Sequence, residues 1–251
     1  MPDRTPLLPS GLMVLTLLGA ACRTMPVTPL AATPTPALAA RMTAMARASM
    51  PPERWEALEA LSVVQCLAPP GLGSGVVISP TRVLITAHQF SGLPVIGIER
   101  RWHPLLSVER PLPNADWAAV RLRTSLAATP AAFDLDRALE PGDELFIVGY
   151  WAAAAGPRPA SLLPRSVVRV EVCEDPGIDS FAFDRVLCCS DPTMAAMTGL
   201  SGGPVVAWDD QRGWVVVGVF QGQWIVEDAD GRVTDQTVIV QRVPAAILAD
   251  S

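Results

Sequence analysis

The residues of this sequence best suited to chemistry lie in three short segments. The first begins Gly73-Ser74-Gly75 and ends Thr86-Ala87-His88. The second is Asn114-Ala115-Asp116, followed at once by the apolar stretch Trp117-Ala118-Ala119-Val120-Arg121-Leu122. The third is Thr198-Gly199-Leu200-Ser201-Gly202-Gly203-Pro204. A serine hydroxyl is a weak nucleophile at neutral pH and needs an adjacent base. Histidine suits that role because its pKa lies near working pH. A carboxylate can fix the imidazole tautomer and stabilise the imidazolium that forms. Glycines around the serine let the backbone turn so that N–H groups face a developing oxyanion. His88 as base, Asp116 as orienter and Ser201 as nucleophile are therefore the candidate catalytic residues, with the Gly199 and Ser201 N–H groups as candidate oxyanion donors.

Chain order discriminates between ways of using these residues. The Gly199-to-Gly203 segment also fits the Gly-x-Ser-x-Gly elbow of α/β-hydrolases, which needs a histidine after the serine. Only His88 and His103 exist, both upstream of Ser201. A subtilisin order needs an acid before the histidine. The only Asp before His88 is Asp3, inside the N-terminal apolar leader. The order His, Asp, Ser survives, which is that of the chymotrypsin type. His103, in Arg101-Trp102-His103-Pro104, reads as a surface or loop histidine. Two histidines and scattered cysteines show no zinc-ligand spacing, so no metal is expected.

The three segments resemble the chymotrypsin/trypsin-like serine proteases. Thr86-Ala87-His88 matches that family's small-Ala-His segment. Residues 116–122 look like its Asp-Ile-Ala-Leu strand, and Gly199-Leu200-Ser201-Gly202-Gly203-Pro204 like its Gly-x-Ser-Gly-Gly-Pro segment. The resemblance covers residues 63–243. It implies an all-β fold of two six-stranded antiparallel β-barrels, a chymotrypsin-like double barrel with the triad in the cleft between them. It also implies a serine endopeptidase working through an acyl-enzyme on peptide or protein substrates, with no cofactor. The alternative is a protease-fold scaffold of the cell envelope without turnover.

By the same analogy, one wall of the substrate pocket comes from 194–197, including Ala195 and Ala196, and carries no charge. Phe220, Gln221 and Gly222 form the opposite wall and the edge strand that meets substrate backbone. Small or medium apolar side chains are expected at the cleaved position. The sequence departs from the family pattern in four ways, one being that no cysteine lies just before Ser201. Gln89 follows His88 where vertebrate-type members have a disulfide cysteine. Leu200 replaces the Asp that pairs with a newly freed N-terminus in trypsin-like zymogens, which disfavours activation by insertion. No further histidine lies downstream of Asp116 to recognise Glu.

The elements that must position these residues are short. β-rich runs at 63–67, 75–79, 83–86, 95–99 and 117–122 form one group. Runs at 145–151, 167–173, 181–188, 204–208, 214–220 and 238–243 form a second. A strand-free stretch at 124–141 divides them, so an N-terminal barrel is expected over 53–125 and a C-terminal barrel over 126–251. Residues 53–61 have helical spacing, with Trp55, Leu58 and Leu61 on one side. Residues 22–52, rich in Pro, Ala and Thr, read as a tether without a core.

Residues 1–21 fit a signal peptide, since the apolar run 12–21 is too short to span a bilayer. The sequence Leu17-Leu18-Gly19-Ala20-Ala21-Cys22 resembles the lipobox of bacterial lipoproteins, which implies lipidation of Cys22 and attachment to the cell envelope. Without lipidation, the protein would be periplasmic or secreted. The chain has 251 residues, is half hydrophobic and has a formal net charge of −6. It has no lysine, and this acidic balance gives no footprint for nucleic acid. A monomer is expected. Among the five cysteines, Cys66, Cys173, Cys188 and Cys189 could pair in three ways. Adjacent strand residues face opposite sides, so at most one of Cys188 and Cys189 meets Cys173 across a hairpin.

Overall fold

The computed structural model describes residues 36–68, 71–90, 92–110, 115–152, 162–173, 185–189, 197, 199–230 and 233–249. The leader and Cys22, and the pocket residues Ala195 and Ala196, lie outside them.

Two helices, α1 (Pro36–Ala48) and α2 (Pro52–Glu59), precede twelve strands. The first six are β1 (Val63–Ala68), β2 (Gly71–Ser79), β3 (Arg82–Ile85), β4 (Val95–Ile98), β5 (Arg101–Glu109) and β6 (Ala118–Leu122). They pair antiparallel in the order β1-β2-β3-β6-β5-β4, and Cys66 opposite Ile98 closes the barrel. The second six are β7 (Glu144–Ala152), β8 (Leu162–Val172), β9 (Arg185–Cys189), β10 (Pro204–Asp209), β11 (Gly213–Glu227) and β12 (Val233–Gln241). Their order is β10-β11-β12-β9-β8-β7, closed by Val205 opposite Ile147. Closure leaves neither sheet an open edge.

Apolar side chains follow the strand period of two and sort into three cores. Val83, Ile85, Ile96, Ile98, Ala118 and Val120 fill the first barrel. Ile147, Val168, Val205, Val217 and Val240 belong to the second. The intervening positions are apolar too. Val76, Leu84 and Ala119 meet Phe146, Val148, Val206 and Val216 in a core shared by both barrels. Strands buried on both faces read as continuous apolar runs, such as the fully buried β3.

Two expectations need correction. Residues 36–48, placed within a coreless tether, form α1. Ala39 and Met42, a turn apart, are buried in the second barrel's core, and Ala46 in the shared core. The Ala-rich composition that suggested a linker is also the best helix former. The second correction is β5, which lies where His103 was read in a loop. Its exposed and intermediate residues, with Pro104 among them, carry no apolar alternation. The expected helix at 53–61 is α2, with proline at its first turn and Trp55 and Leu58 buried. Arg165 of β8 donates to the carbonyls of Leu58, Glu59 and Leu61 at its C-terminal end.

Cys173 and Cys189 form a disulfide, while Cys66 and Cys188 are buried free thiols. Cys188 points into the second core as its neighbour points out, as strand alternation requires. Burial pushes the Cys188 thiol up to about 12. Burial, and secondarily the Glu99 carboxylate, pushes Cys66 up as well.

Candidate active site

His88 lies on a single 3-10 turn, Ala87–Gln89, after β3. Asp116 lies just before β6. β3 and β6 are neighbours with Ile85 opposite Ala118, so the antiparallel register brings 116 beside 87 and 88. Local sequence thus sets each residue at a strand end, and the register makes them meet. Asp116 Oδ2 lies 2.7 Å from His88 Nδ1, and Asp116 Oδ1 accepts the His88 backbone N–H at 2.9 Å. An Nδ1–H donated to the carboxylate leaves Nε2 as the lone-pair nitrogen, the form a general base needs. The Asp116 side chain is mostly buried, at 17% exposure, while that of His88 is 48% exposed.

Ser201 sits in the turn before β10. The Gly203 N–H donates to Leu200 O at 2.8 Å and the Gly202 N–H to Phe220 O at 2.8 Å. Gly199 at φ +92° and Gly202 at φ +77° adopt a backbone that L side chains rarely take. A Cβ on Gly202 would also stand 2.3 Å from Ser74 O. Leu200 is fully buried in the second core. Where the family's acid would form an ion pair, this loop is anchored by apolar packing.

In a trans peptide the N–H and C=O point in opposite directions. With Leu200 C=O tied to Gly203, the Ser201 N–H faces the other way. Among the described residues neither the Gly199 nor the Ser201 N–H meets an acceptor. Such donors are what an oxyanion requires. Ser201 and His88 come from different barrels, and the described contacts tie their neighbours together. Ser201 O accepts the Ser74 N–H at 2.8 Å and Gln89 Nε2 at 2.6 Å. Ser74 Oγ donates to Gly199 O at 2.9 Å and accepts the Tyr150 N–H at 2.8 Å. No hydrogen bond joins Ser201 Oγ to His88, and such bonds often tighten only when substrate is bound.

These interactions place His88, Asp116 and Ser201 at one junction between strands β3, β6 and β10. The sequence over residues 73–219 matches the trypsin-like peptidase domain model. The chain belongs to that family. The chymotrypsin-like fold of this peptidase has solved counterparts. The Rv3671c protease from M. tuberculosis, in its active form, is 22% identical, covering 98% of this chain and 92% of the other at a TM-score of 0.50. Its inactive form is also 22% identical, covering 89% and 96% at a TM-score of 0.50. Those likenesses are of fold. No curated protein matches the sequence.

The remaining expected site residues separate. Phe220 is not a wall of the cleft. It is 1% exposed in the second core, and its N–H and C=O are taken by Gly203 and Gly202. Partial exposure begins at Gln221, and at Gly222 an added Cβ would meet nothing within 4 Å. Gln223 Oε1 accepts the Met197 N–H at 2.8 Å, joining the two expected pocket walls. His103, in β5, has Nδ1 2.9 Å from Thr124 Oγ1 and no bond to the candidate residues. Burial, then the Arg101 charge, lowers its pKa. Sequence reasoning missed the roles of Ser74, Gln89 and Gln223 in these contacts. Uncharged polar residues within strands and turns carry no local mark of a long-range partner.

Proposed function

We propose that this peptidase is a serine endopeptidase whose triad is His88, Asp116 and Ser201. His88 Nε2 takes the Ser201 proton as Oγ attacks the scissile carbonyl. The Gly199 and Ser201 N–H groups hold the oxyanion. The imidazolium, steadied by Asp116, then gives the proton to the leaving amine. Water hydrolyses the acyl-enzyme by the same exchange in reverse. The observation that carries this reading is the two-point hold of Asp116 on His88, which orients the ring and selects its tautomer.

A fluorophosphonate probe tests it. Labelling of the wild type that disappears in Ser201→Ala is expected. A folded wild type that never labels refutes it and favours the second reading, a protease-fold scaffold without turnover. The absence of a Ser201–His88 hydrogen bond is what favours that alternative. The preferred cleaved residue is small or medium and apolar, supported by the uncharged 194–197 segment. A peptide-library profile dominated by Arg or Lys would sink that preference. The apolar leader and Cys22 support an enzyme anchored at the cell envelope by lipid.

A further inference from the structure

We propose that two buried glutamines, Gln89 and Gln241, act as reciprocal clamps that register the catalytic residues of each barrel against the other, an inference that rests on the triad reading. Gln89 follows His88 in the first barrel and is 5% exposed. Its Oε1 accepts the Thr86 N–H at 3.3 Å, and its Nε2 donates to Ser201 O at 2.6 Å. Its amide therefore spans from the backbone beside the base to the backbone of the nucleophile. Gln241 ends β12 in the second barrel and is fully buried. Its Oε1 accepts the Asp116 N–H at 3.3 Å, and its Nε2 donates to Arg242 O at 2.8 Å. Each glutamine starts in one barrel and grips the backbone of a catalytic residue in the other.

The surroundings are shaped to the Gln89 clamp. A Cβ on Gly73 would fall 1.3 Å from Gln89 Nε2 and 2.5 Å from its Cδ. A Cβ on Gly202 would fall 2.6 Å from Gln89 Oε1. Two glycines thus clear the space that the amide fills, at the position where vertebrate-type relatives carry a disulfide cysteine. An apolar side chain of similar length would fill that space without fixing a direction. The amide instead satisfies a donor and an acceptor at opposite ends, and that fixes the angle between two backbone segments. Attack requires reacting atoms within about 3–3.5 Å, and a displacement of about 1 Å can cost about 100-fold in rate. Small rotations of one barrel against the other fall in that range unless something holds them.

The test compares full-length wild type, Gln89→Met and Gln241→Met. Both variants keep side-chain length and lose the amide. A fall in kcat of about tenfold or more on a peptide ester is expected for each. KM should stay within about twofold and thermal midpoints near wild type, a split that general loosening of the fold would not give. Amide hydrogen exchange supplies a readout independent of turnover. It should speed up at 199–203 in Gln89→Met and at 115–118 in Gln241→Met, with β10 and β11 amides unchanged. Wild-type kcat together with wild-type exchange in both variants would overturn the clamps. If Ser201 never labels in the wild type, the triad reading fails. The exchange comparison then still decides whether the glutamines hold the junction. If methionine prevents folding, Gln89→Glu, which loses the donor to Ser201 O, and Gln241→Leu, which loses the acceptor for the Asp116 N–H, take the same measurements.

Discussion

At Asp116 one carboxylate makes two bonds to one residue, the ring and the backbone N–H of His88. In the proposed triad, that arrangement gives the carboxylate the orienting role. Asp116→Asn should therefore leave substrate binding near wild type while lowering kcat by about 10⁴-fold, since an amide favours the wrong tautomer. Steady-state kinetics on a peptide ester check this, and a loss confined to KM would contradict it. The same scale explains Leu200. A fully buried leucine packs the serine loop into the second core, at the position where trypsin-like zymogens carry the acid.

Among the elements, α1 is the one whose importance is easiest to underrate. Its Thr43 hydroxyl accepts the Val167 N–H at 3.2 Å, and Met42 is 6% exposed against the second barrel. Met42→Ala should cost about 2–5 kcal/mol, as core truncations do. Chemical denaturation would measure it. A change within error would return α1 to the status of a tether. The disulfide clips β9 to the end of β8 at a separation of 16 residues. A loop of about that length contributes about 3 kcal/mol in the chain-entropy account.

Alkaline pH acts on the whole molecule in an unusually simple way. The chain has no lysine and a single tyrosine, so few groups titrate between neutrality and the arginine range. Cys188, raised from 9.0 to about 12, stays protonated in the folded state while the unfolded chain ionises. Cys66 and Tyr150 are also shifted upward, chiefly by burial. The unfolded state then binds fewer protons than the folded one, so stability falls as pH rises. Stability should be level from neutrality to about 9 and decline from there towards about 12. Melting curves across that range check this, and Cys188→Ala should flatten the decline. Lipidation concerns the whole molecule too. Radiolabelled palmitate is expected to enter the wild-type protein and not Cys22→Ser, and an unlabelled wild type would remove the lipid anchor.

Much of this protein was legible in sequence because its signals are local. Glycines flanking Ser201, the small residues before His88 and the apolar strand after Asp116 each mark a backbone geometry within a few residues. Their order, with no histidine after Ser201 and no usable Asp before His88, excluded two other ways of using them. Short β-rich runs marked eleven of the twelve strands, and the exposed β5 escaped because it lacks apolar alternation. The Ala-rich α1 escaped because composition alone does not distinguish a linker from a helix that finds a core. Which cysteine meets Cys173, that Phe220 is core rather than cleft, and that Ser74, Gln89 and Gln241 hold the junction were decided only by tertiary structure. Each depends on partners from about 16 to 125 residues away, which only strand register and barrel packing bring together. Sequence named the residues able to do the chemistry, and packing decided which backbone atoms hold them in place.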